Sequence, residues 1–463
     1  MSENRSQRLG QMPMVQLVLK VSLPIMFSMM IQALYNVVDS IFVARYHPQA
    51  LTAVSLAMPI QNLMIALSVG TGVGINSLIS RRLGEKNRKE ALDTAHNGMF
   101  LALLSWIIFL VFGIFFARPF FSAYTNDAQV LKMGGDYLQI VTIFSLSLFL
   151  SIGVEKCMQG TGNNLYNMIT MLCGAVTNII LDPFLIFGIG PFPEMGVAGA
   201  ALATVIAQTV GCGLGLFLNQ TRNRELRMNF KGFRPSLAII RQIYVVGIPS
   251  IVMQSIASVM TVLMNLILIT FGNAAVSVLG VYFKLQSFIF MPVFGLTNGI
   301  VAIIGYNFGA RNKKRVYQAI KVALIFALCI MLVGMLLFTF LPETMLSLFD
   351  AADETAVEQT AEMYRIGVPA LKIICLSFLG AAVGIILSTV FQAIGNGMLS
   401  LMISMCRQLV VLLPAAYFLA PYGINAVWWA FPIAEMVALT LVLLAFRWAD
   451  KRYIKPLDNV NSL

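Results

Sequence analysis

Gln-Ala-Leu-Tyr-Asn-Val-Val-Asp, residues 32 to 39, lies inside the first long apolar segment of the chain. In a helix, Gln32, Tyr35, Asn36 and Asp39 form one polar stripe, because residues three, four and seven apart share a face. A carboxylate at membrane depth costs roughly 2.5–3.5 kcal/mol on insertion scales, so such a residue is a functional candidate by default. The alternative is a structural carboxylate that is paired to hide its charge.

The composition around this stretch is that of a membrane protein. Of 463 residues, 59% are hydrophobic and only 11% are charged, whereas soluble domains carry about 25% charged residues. The apolar runs are long enough to cross a hydrocarbon core of about 30 Å, and they lack the short alternating pattern of a β-barrel. The predicted spans are residues 16–45, 51–80, 92–116, 133–157, 165–188, 196–218, 241–271, 275–305, 316–341, 358–393, 398–420 and 423–447.

The distribution of basic residues predicts the topology. The net charge is +11, and the Lys and Arg residues cluster in loops after even-numbered spans and in the C-terminal tail. This positive-inside pattern predicts a multi-pass membrane protein whose termini both lie in the cytoplasm. It also argues against nucleic-acid binding. The polar start, residues 1–13, lacks the features of a cleaved signal peptide, so we expect the first span to be retained.

The residues of common catalytic and metal sites are scarce. The six cysteines show no CxxC spacing, and His47 and His96 are the only histidines, so we expect no disulfide framework and no metal cluster. The sequence contains no HExxH, serine–histidine or phosphate-cradling motif. We therefore expect no enzyme activity and no cofactor.

An internal repeat divides the chain. An offset of 225 residues relates Pro24 to Pro249, and the segment 83–87 to the segment 308–312. The same offset relates Gln61 to Gln286, Gly70 to Gly295, and Gly74 to Gly299. The repeat predicts an all-α polytopic membrane protein whose twelve transmembrane helices form two pseudo-symmetric six-helix lobes around a central cavity. The expected units are an N-terminal lobe (1–220), a cytoplasmic linker (221–240) and a C-terminal lobe (241–463). Two parallel lobes around a central cavity suit alternating access, in which the cavity opens to each side in turn. The alternative is a repeat with a purely structural role.

The repeat also serves as an internal control for the polar stripe. Its counterparts in the second lobe are Ala257, Met260, Thr261 and Met264, so the stripe is almost confined to the first lobe. An architectural role would more naturally appear in both lobes.

The fifth span holds a second polar group. Asn178 and Asp182 lie four residues apart and share a helix face, and Pro183 predicts a kink beside Asp182. Thr204 in the sixth span is either a further site residue or an interhelical hydrogen-bond partner.

The second lobe has charges of its own at Lys284, Arg407 and Glu435. Lys284 and Glu435 either form an ion pair that hides both charges or belong to a cation site. Arg407 is a further candidate for a site residue. The alternative is that it lies near a helix end and extends its charged group to the membrane surface. Glu155-Lys156 is interpreted as a helix-end pair without chemistry.

These residues together resemble those of the multidrug and toxic compound extrusion (MATE) transporter family. Pro24 with the polar stripe is similar to the family's first helix, and Asn178 with Asp182-Pro183 to its fifth. The segment 295–310 is similar to the eighth-helix signature. The paired aspartates resemble the DinF-like branch, and the sequence as a whole resembles bacterial MepA-type exporters. The NorM branch carries acids in its seventh and eighth helices, where this chain offers Met264 and Lys284.

The resemblance implies antiport, in which hydrophobic organic cations leave as H⁺, or Na⁺, enters. Asp39 would be the main protonation switch, Asp182 and Asn178 its partners, and Pro24 a point of bending. The resemblance implies a substrate site that consists of Gln32, Tyr35, Asn36 and Asp39. It also implies an ion-coupling site that consists of Asp39, Asn178, Asp182 and Thr204. Na⁺ would bind at Asp39, Asn178 and Asp182. The expected protein is a monomer surrounded by lipid. The alternative function is that of a flippase for lipid-linked precursors.

Overall fold

The structure, a computed structural model, describes residues 7–123, 127–348 and 357–457. These residues form a bundle of long helices, which confirms the predicted all-α membrane fold. Eleven helices are long and apolar enough to cross a membrane by themselves, and a bent pair makes the twelfth. The first six are α1 (Met14–Tyr46), α2 (Pro48–Gly84), α3 (Arg88–Phe115), α4 (Ala128–Ile143 and Leu146–Gly160), α5 (Asn164–Phe187) and α6 (Val197–Arg222).

The second half of the chain supplies the other six helices. They are α7 (Leu237–Leu268), α8 (Asn273–Gly309), α9 (Lys313–Phe340), α10 (Val357–Ile374 and Phe378–Ala393), α11 (Gly397–Met405, continued through Leu419) and α12 (Ile424–Trp428 and Ala430–Ala449). Each coincides with one predicted span. Residues 350–354, in the loop after α9, lie outside the described residues.

Several helices are irregular near polar residues. The two parts of α4 meet at an angle of 46°, where the hydroxyl of Ser145 donates to the carbonyl of Thr142 and competes with the helical ladder. In α11, residues Cys406–Leu412 form a π-helix. In α5, the helix continues past Pro183 to Phe187 and ends at Gly188, whose φ is +69°. Pro183 thus lies inside the helix without interrupting it.

The repeat is visible in the backbone of two tight turns. Lys86 and Arg311, which the offset relates, are the non-glycine residues with positive φ in the described ranges, at 59° and 54°. Each is followed by an asparagine that caps the next helix, because Asn87 and Asn312 both accept a hydrogen bond from the amide three residues later. The predicted alignment of these segments is therefore structural. We call the end of the bundle that carries these two turns the closed end.

Helices α1 and α7 each divide their packing between the two halves of the bundle. Near its start, α1 contributes Leu17 and Val21 to a core cluster made mainly of α8–α12, whereas Val43 at its far end packs among α2–α6. The start of α7 does the reverse, since Ile243 packs against α2–α4 and Met264 packs in the second-half cluster. The halves of the chain are thereby interlocked at the closed end.

Glycines allow this interlocking. A Cβ atom on Gly70 of α2 would lie 2.4 Å from Ile251 of α7, and one on Gly295 of α8 would lie 2.5 Å from Met26 of α1. The 225-residue offset relates Gly70 to Gly295 and Met26 to Ile251, so these are two copies of one contact. The interface between the halves is pseudo-twofold symmetric.

Candidate functional site

Two carboxyl groups meet inside the first half of the bundle. Asp39 lies half-buried on α1, and Asp182 lies fully buried on α5. Their carboxyl groups are within hydrogen-bonding distance of each other. Asn178, one turn before Asp182, donates from Nδ2 to Oδ1 of Asp182 at 3.3 Å. The structure thus brings together the two aspartates and the asparagine that the sequence analysis selected on separate helices.

The hydrogen bonding of this group is incomplete. Oδ1 of Asp39, Oδ1 of Asn178 and Oδ2 of Asp182 are buried and have no donor among the described residues. Two ionised carboxylates hold no proton to share, and an unsatisfied buried acceptor costs about 1–3 kcal/mol. A proton shared between the carboxyl groups, or a cation among the three oxygens, would satisfy these acceptors.

Two tyrosines lie near the aspartates. Tyr35, one turn before Asp39, lies within electrostatic range of both carboxyl groups. Tyr137 of α4 also lies within electrostatic range of both carboxyl groups, and it is almost fully buried. Its hydroxyl accepts a hydrogen bond of 3.0 Å from Gln61 of α2. Gln61 was predicted only as part of the repeat, and Tyr137 was not predicted at all, because an isolated tyrosine on another helix gives no periodic signal.

The other predicted first-half residues are less closely tied to the aspartates. Gln32 lies half-buried on α1, and the side chain of Asn36 is outside the described part of the structure. Thr204 is half-buried on α6, and no hydrogen bond joins it to either aspartate within the described ranges. No cluster of three or more His, Cys, Asp or Glu side chains with metal-binding geometry occurs among the residues described.

The second-half charges pair differently from the expectation. Glu435 of α12 accepts a hydrogen bond of 3.2 Å from Arg407 of α11, and Lys284 lies exposed on α8. Arg407 is therefore an ion-pair partner of Glu435, a pairing that was not predicted from the sequence. Because Arg407 lies in a π-helix, regular helical spacing does not describe the direction of its side chain.

Lys156 forms the expected ion pair with Glu155 near the end of α4, where its Nζ lies 3.9 Å from Oε1 of Glu155, but it also makes contacts that the sequence did not predict. Its ammonium group is buried and donates to Oε1 of Gln159 at 3.0 Å and to Oδ1 of Asn298 at 2.8 Å. Asn298 belongs to α8, so this bond joins the two halves near the closed end. The available signal in the sequence was a lysine inside an apolar run, with Gln159 one turn later.

A repeated helical bundle with ionisable groups buried between its helices defines a polytopic membrane transporter. The MatE family model matches residues 24–184 and 249–418. The chain belongs to the MATE family of transporters. The two matches begin at Pro24 and Pro249, the prolines that the internal repeat relates.

Individual relatives cover nearly the whole chain. The multidrug export protein MepA of Staphylococcus haemolyticus is 28% identical over 424 residues, 91% of each chain. A MATE crystal structure in complex with MaL6 is 25% identical, with a TM-score of 0.91 over 98% of this chain and 100% of that one. An outward-facing multidrug resistance MATE family transporter of the MOP superfamily is 25% identical, with a TM-score of 0.90 over 98% and 99%. The protein is a multi-pass protein of a bacterial plasma membrane.

Proposed function

We propose that the protein is a secondary active multidrug exporter that couples the exit of hydrophobic organic cations to the entry of H⁺ or Na⁺. The observation that carries this proposal is the contact between Asp39 and Asp182, in which Oδ1 of Asp39 and Oδ2 of Asp182 are buried and have no donor among the described residues. The names of the curated relatives and solved structures, which include a multidrug export protein, support the substrate class.

Competition for charge is the basis of the coupling. When the aspartates are ionised, they offer a counter-charge to a cationic drug, with the polar stripe of Gln32, Tyr35 and Asn36 beside it. When one aspartate binds a proton, the counter-charge falls and the drug is released. Asp39 is the switch in this scheme, Asp182 and Asn178 are its partners, and Thr204 is a more distant member of the ion site. Pro24, which lacks an N–H, allows α1 to bend as Asp39 changes charge.

The contact between two carboxyl groups favours H⁺ as the coupling ion. A shared proton converts two repelling carboxylates into a hydrogen-bonded pair, whereas a metal ion requires several oxygen ligands at once. A one-for-one exchange of H⁺ for a monovalent drug cation moves no net charge, so the pH gradient drives it; one pH unit supplies about 1.4 kcal/mol, which supports a concentration ratio of about ten. Na⁺ bound by Asp39, Asn178 and Asp182 is the other outcome of the test below.

The arrangement of the lobes corresponds to one state of an alternating-access cycle. The positive-inside pattern of the basic loops supports a cytoplasmic position for the closed end and for both termini, and the proposed state is then outward-facing. In this scheme, one chain supplies both lobes, and a monomer is the functional unit.

The test is export of ethidium from liposomes that contain the purified protein. A pH gradient and a Na⁺ gradient are imposed separately on wild type, Asp39→Asn and Asp182→Asn. Asp136→Asn is the matched control, since Asp136 is an α4 carboxylate in a surface ion pair with Arg118 at 3.3 Å. We expect transport driven by the pH gradient, lost in both site variants and retained in the control.

Other outcomes are equally informative. Transport driven by Na⁺ alone would assign the aspartates as ligands of a metal ion. Full transport by Asp39→Asn would contradict the shared site. Absence of gradient-driven movement in wild type would favour the flippase alternative, which transfer of a lipid-linked precursor across the same liposomes would then test.

A further inference from the structure

We propose that the second half of the bundle contains a separate binding site for a small aromatic anion, held by Arg407. The site is a cavity of about 100 Å³ between α7, α8, α10, α11 and α12. Its principal lining residues are Tyr282, Phe283, Phe290, Arg407, Phe431 and Glu435.

The internal repeat places this cavity opposite the aspartate site. Met260 and Gln286 line the cavity, and the 225-residue offset relates them to Tyr35 and Gln61 of the first-half site. The two halves therefore hold corresponding sites with different chemistry. Where the first has two carboxyl groups, the second has an arginine and a glutamate.

Arg407 is the more accessible of the two charged residues in this cavity. The side chain of Arg407 is 32% exposed, compared with 9% for Glu435. A guanidinium carries five N–H donors in a planar fork, and its hydrogen bond to Glu435 uses Nη1. The remaining donors suit a carboxylate or sulfonate, which binds such a fork through two oxygens.

Glu435 holds the guanidinium in place through their hydrogen bond. It packs on a glycine face of α10, where a Cβ atom on Gly380 would lie 2.8 Å from its Cγ and one on Gly384 would lie 3.4 Å from its Oε1. Its Oε1 is buried and accepts no hydrogen bond within the described residues. Glu435 is thus a positioning residue, and it also weakens an anionic ligand by like-charge repulsion.

The remaining walls select an aromatic group. The ring of Tyr282 lies 5.4 Å from that of Phe283 and 5.9 Å from that of Phe431, measured between centroids. An enclosed apolar cavity of about 150 Å³ binds benzene. This cavity of about 100 Å³ is smaller but only partly enclosed, so it suits a ligand no larger than a single ring. A benzoate-sized anion satisfies both the rings and the guanidinium.

The test measures binding of radiolabelled benzoate to the purified, full-length protein by equilibrium dialysis. Benzylamine is the cationic probe of the same size, and acetate tests the need for the ring. The variants are Glu435→Gln, Arg407→Lys and the double variant Arg407→Gln/Glu435→Gln, which removes both charges without leaving one buried alone. The matched control is Arg365→Gln/Glu362→Gln, a surface pair of the same half at 3.4 Å.

We expect benzoate to bind wild type more tightly than acetate or benzylamine. Glu435→Gln should strengthen benzoate binding, and Arg407→Lys should weaken it. Relative to Glu435→Gln, the double variant, which also lacks the guanidinium, should bind benzoate at least about tenfold more weakly, the value of a hydrogen bond to a charged group. Preferential binding of benzylamine, equal binding by Glu435→Gln and the double variant, or the same loss in the control would each overturn the proposal. Because the first-half aspartates are intact in every variant, the outcome is independent of the coupling test above.

Discussion

Lys156 of α4 donates a hydrogen bond of 2.8 Å to Asn298 of α8, and this bond joins the two halves of the bundle. Both partners are close to the closed end, where Asn76 also donates to the carbonyl of Asn298 at 3.4 Å. A buried ammonium group needs its acceptors because an unpaired charge in this environment is costly. Separating the halves breaks this bond, so Lys156 contributes to the stability of the closed arrangement.

Replacing Lys156 with Met should therefore favour separation at the closed end. A hydrogen bond to a charged group contributes about 1.5–3 kcal/mol, so the ratio of closed to open molecules should fall about tenfold or more. The measurement is the distance between spin labels at Lys86 and Arg311, two exposed turn residues on opposite halves, in a background without the native cysteines. A longer-distance population should appear in Lys156→Met.

Lys132→Met is the control for this change. Lys132 lies on the same helix but is exposed, so its loss should leave the distance distribution unchanged. An unaltered distribution in Lys156→Met would show that the bond does not hold the halves together.

The glycine contacts give a second, steric prediction. A Cβ atom on Gly309 of α8 would lie 2.1 Å from the carbonyl oxygen of Arg81 in α2, and backbone cannot yield as a flexible side chain does. Gly309→Ala should destabilise the closed end by about 1–3 kcal/mol, the usual cost of overpacking. The same pair of spin labels should report a longer distance.

Gly280→Ala provides the matched control on the same helix, since a Cβ atom there would meet nothing within 4 Å. If both alanine variants give the wild-type distance, the close approach at Gly309 is not needed for closure.

Hydropathy and the repeat predicted most of the architecture, for physical reasons. A membrane span must be long and apolar, so each span can be recognised from its own residues without knowledge of its neighbours. The repeat was readable because glycines such as Gly70 and Gly295 lie where two backbones approach. The pairing of Asp39 with Asp182 was predicted from their unusual cost in a membrane together with the family resemblance.

The contacts that sequence reasoning missed depend on which helices become neighbours. Lys156 with Asn298 and Tyr137 with Gln61 each join helices that are distant in sequence, and no periodicity connects such residues. Arg407 lies in a π-helix, where the extra residue per turn turns side chains away from their regular helical direction.

The N-terminal segment gives the last prediction. Its short helix, Gln7–Gln11, places the carbonyl of Leu9 against two donors from the second half, Asn307 at 2.9 Å and Arg315 at 3.0 Å. Arg315 also donates to the carbonyl of Met12 at 2.8 Å. The side chain of Leu9 is buried and lies near Gly162 at the start of α5, where a Cβ atom would be 3.2 Å from it. The segment therefore contacts both halves at the closed end.

Replacing Arg315 with Gln should release this segment. The substitution removes the charged donor that binds both carbonyls, and amide exchange of residues 7–13 should accelerate about tenfold or more, as expected for losing about 1.5–3 kcal/mol of local stability. Hydrogen–deuterium exchange with mass spectrometry measures this directly. Lys314→Gln is the control, because Lys314 is the exposed neighbour with the same charge. Equal exchange in wild type and Arg315→Gln would mean that burial of Leu9 alone holds the segment, and Leu9→Ala should then produce the acceleration instead.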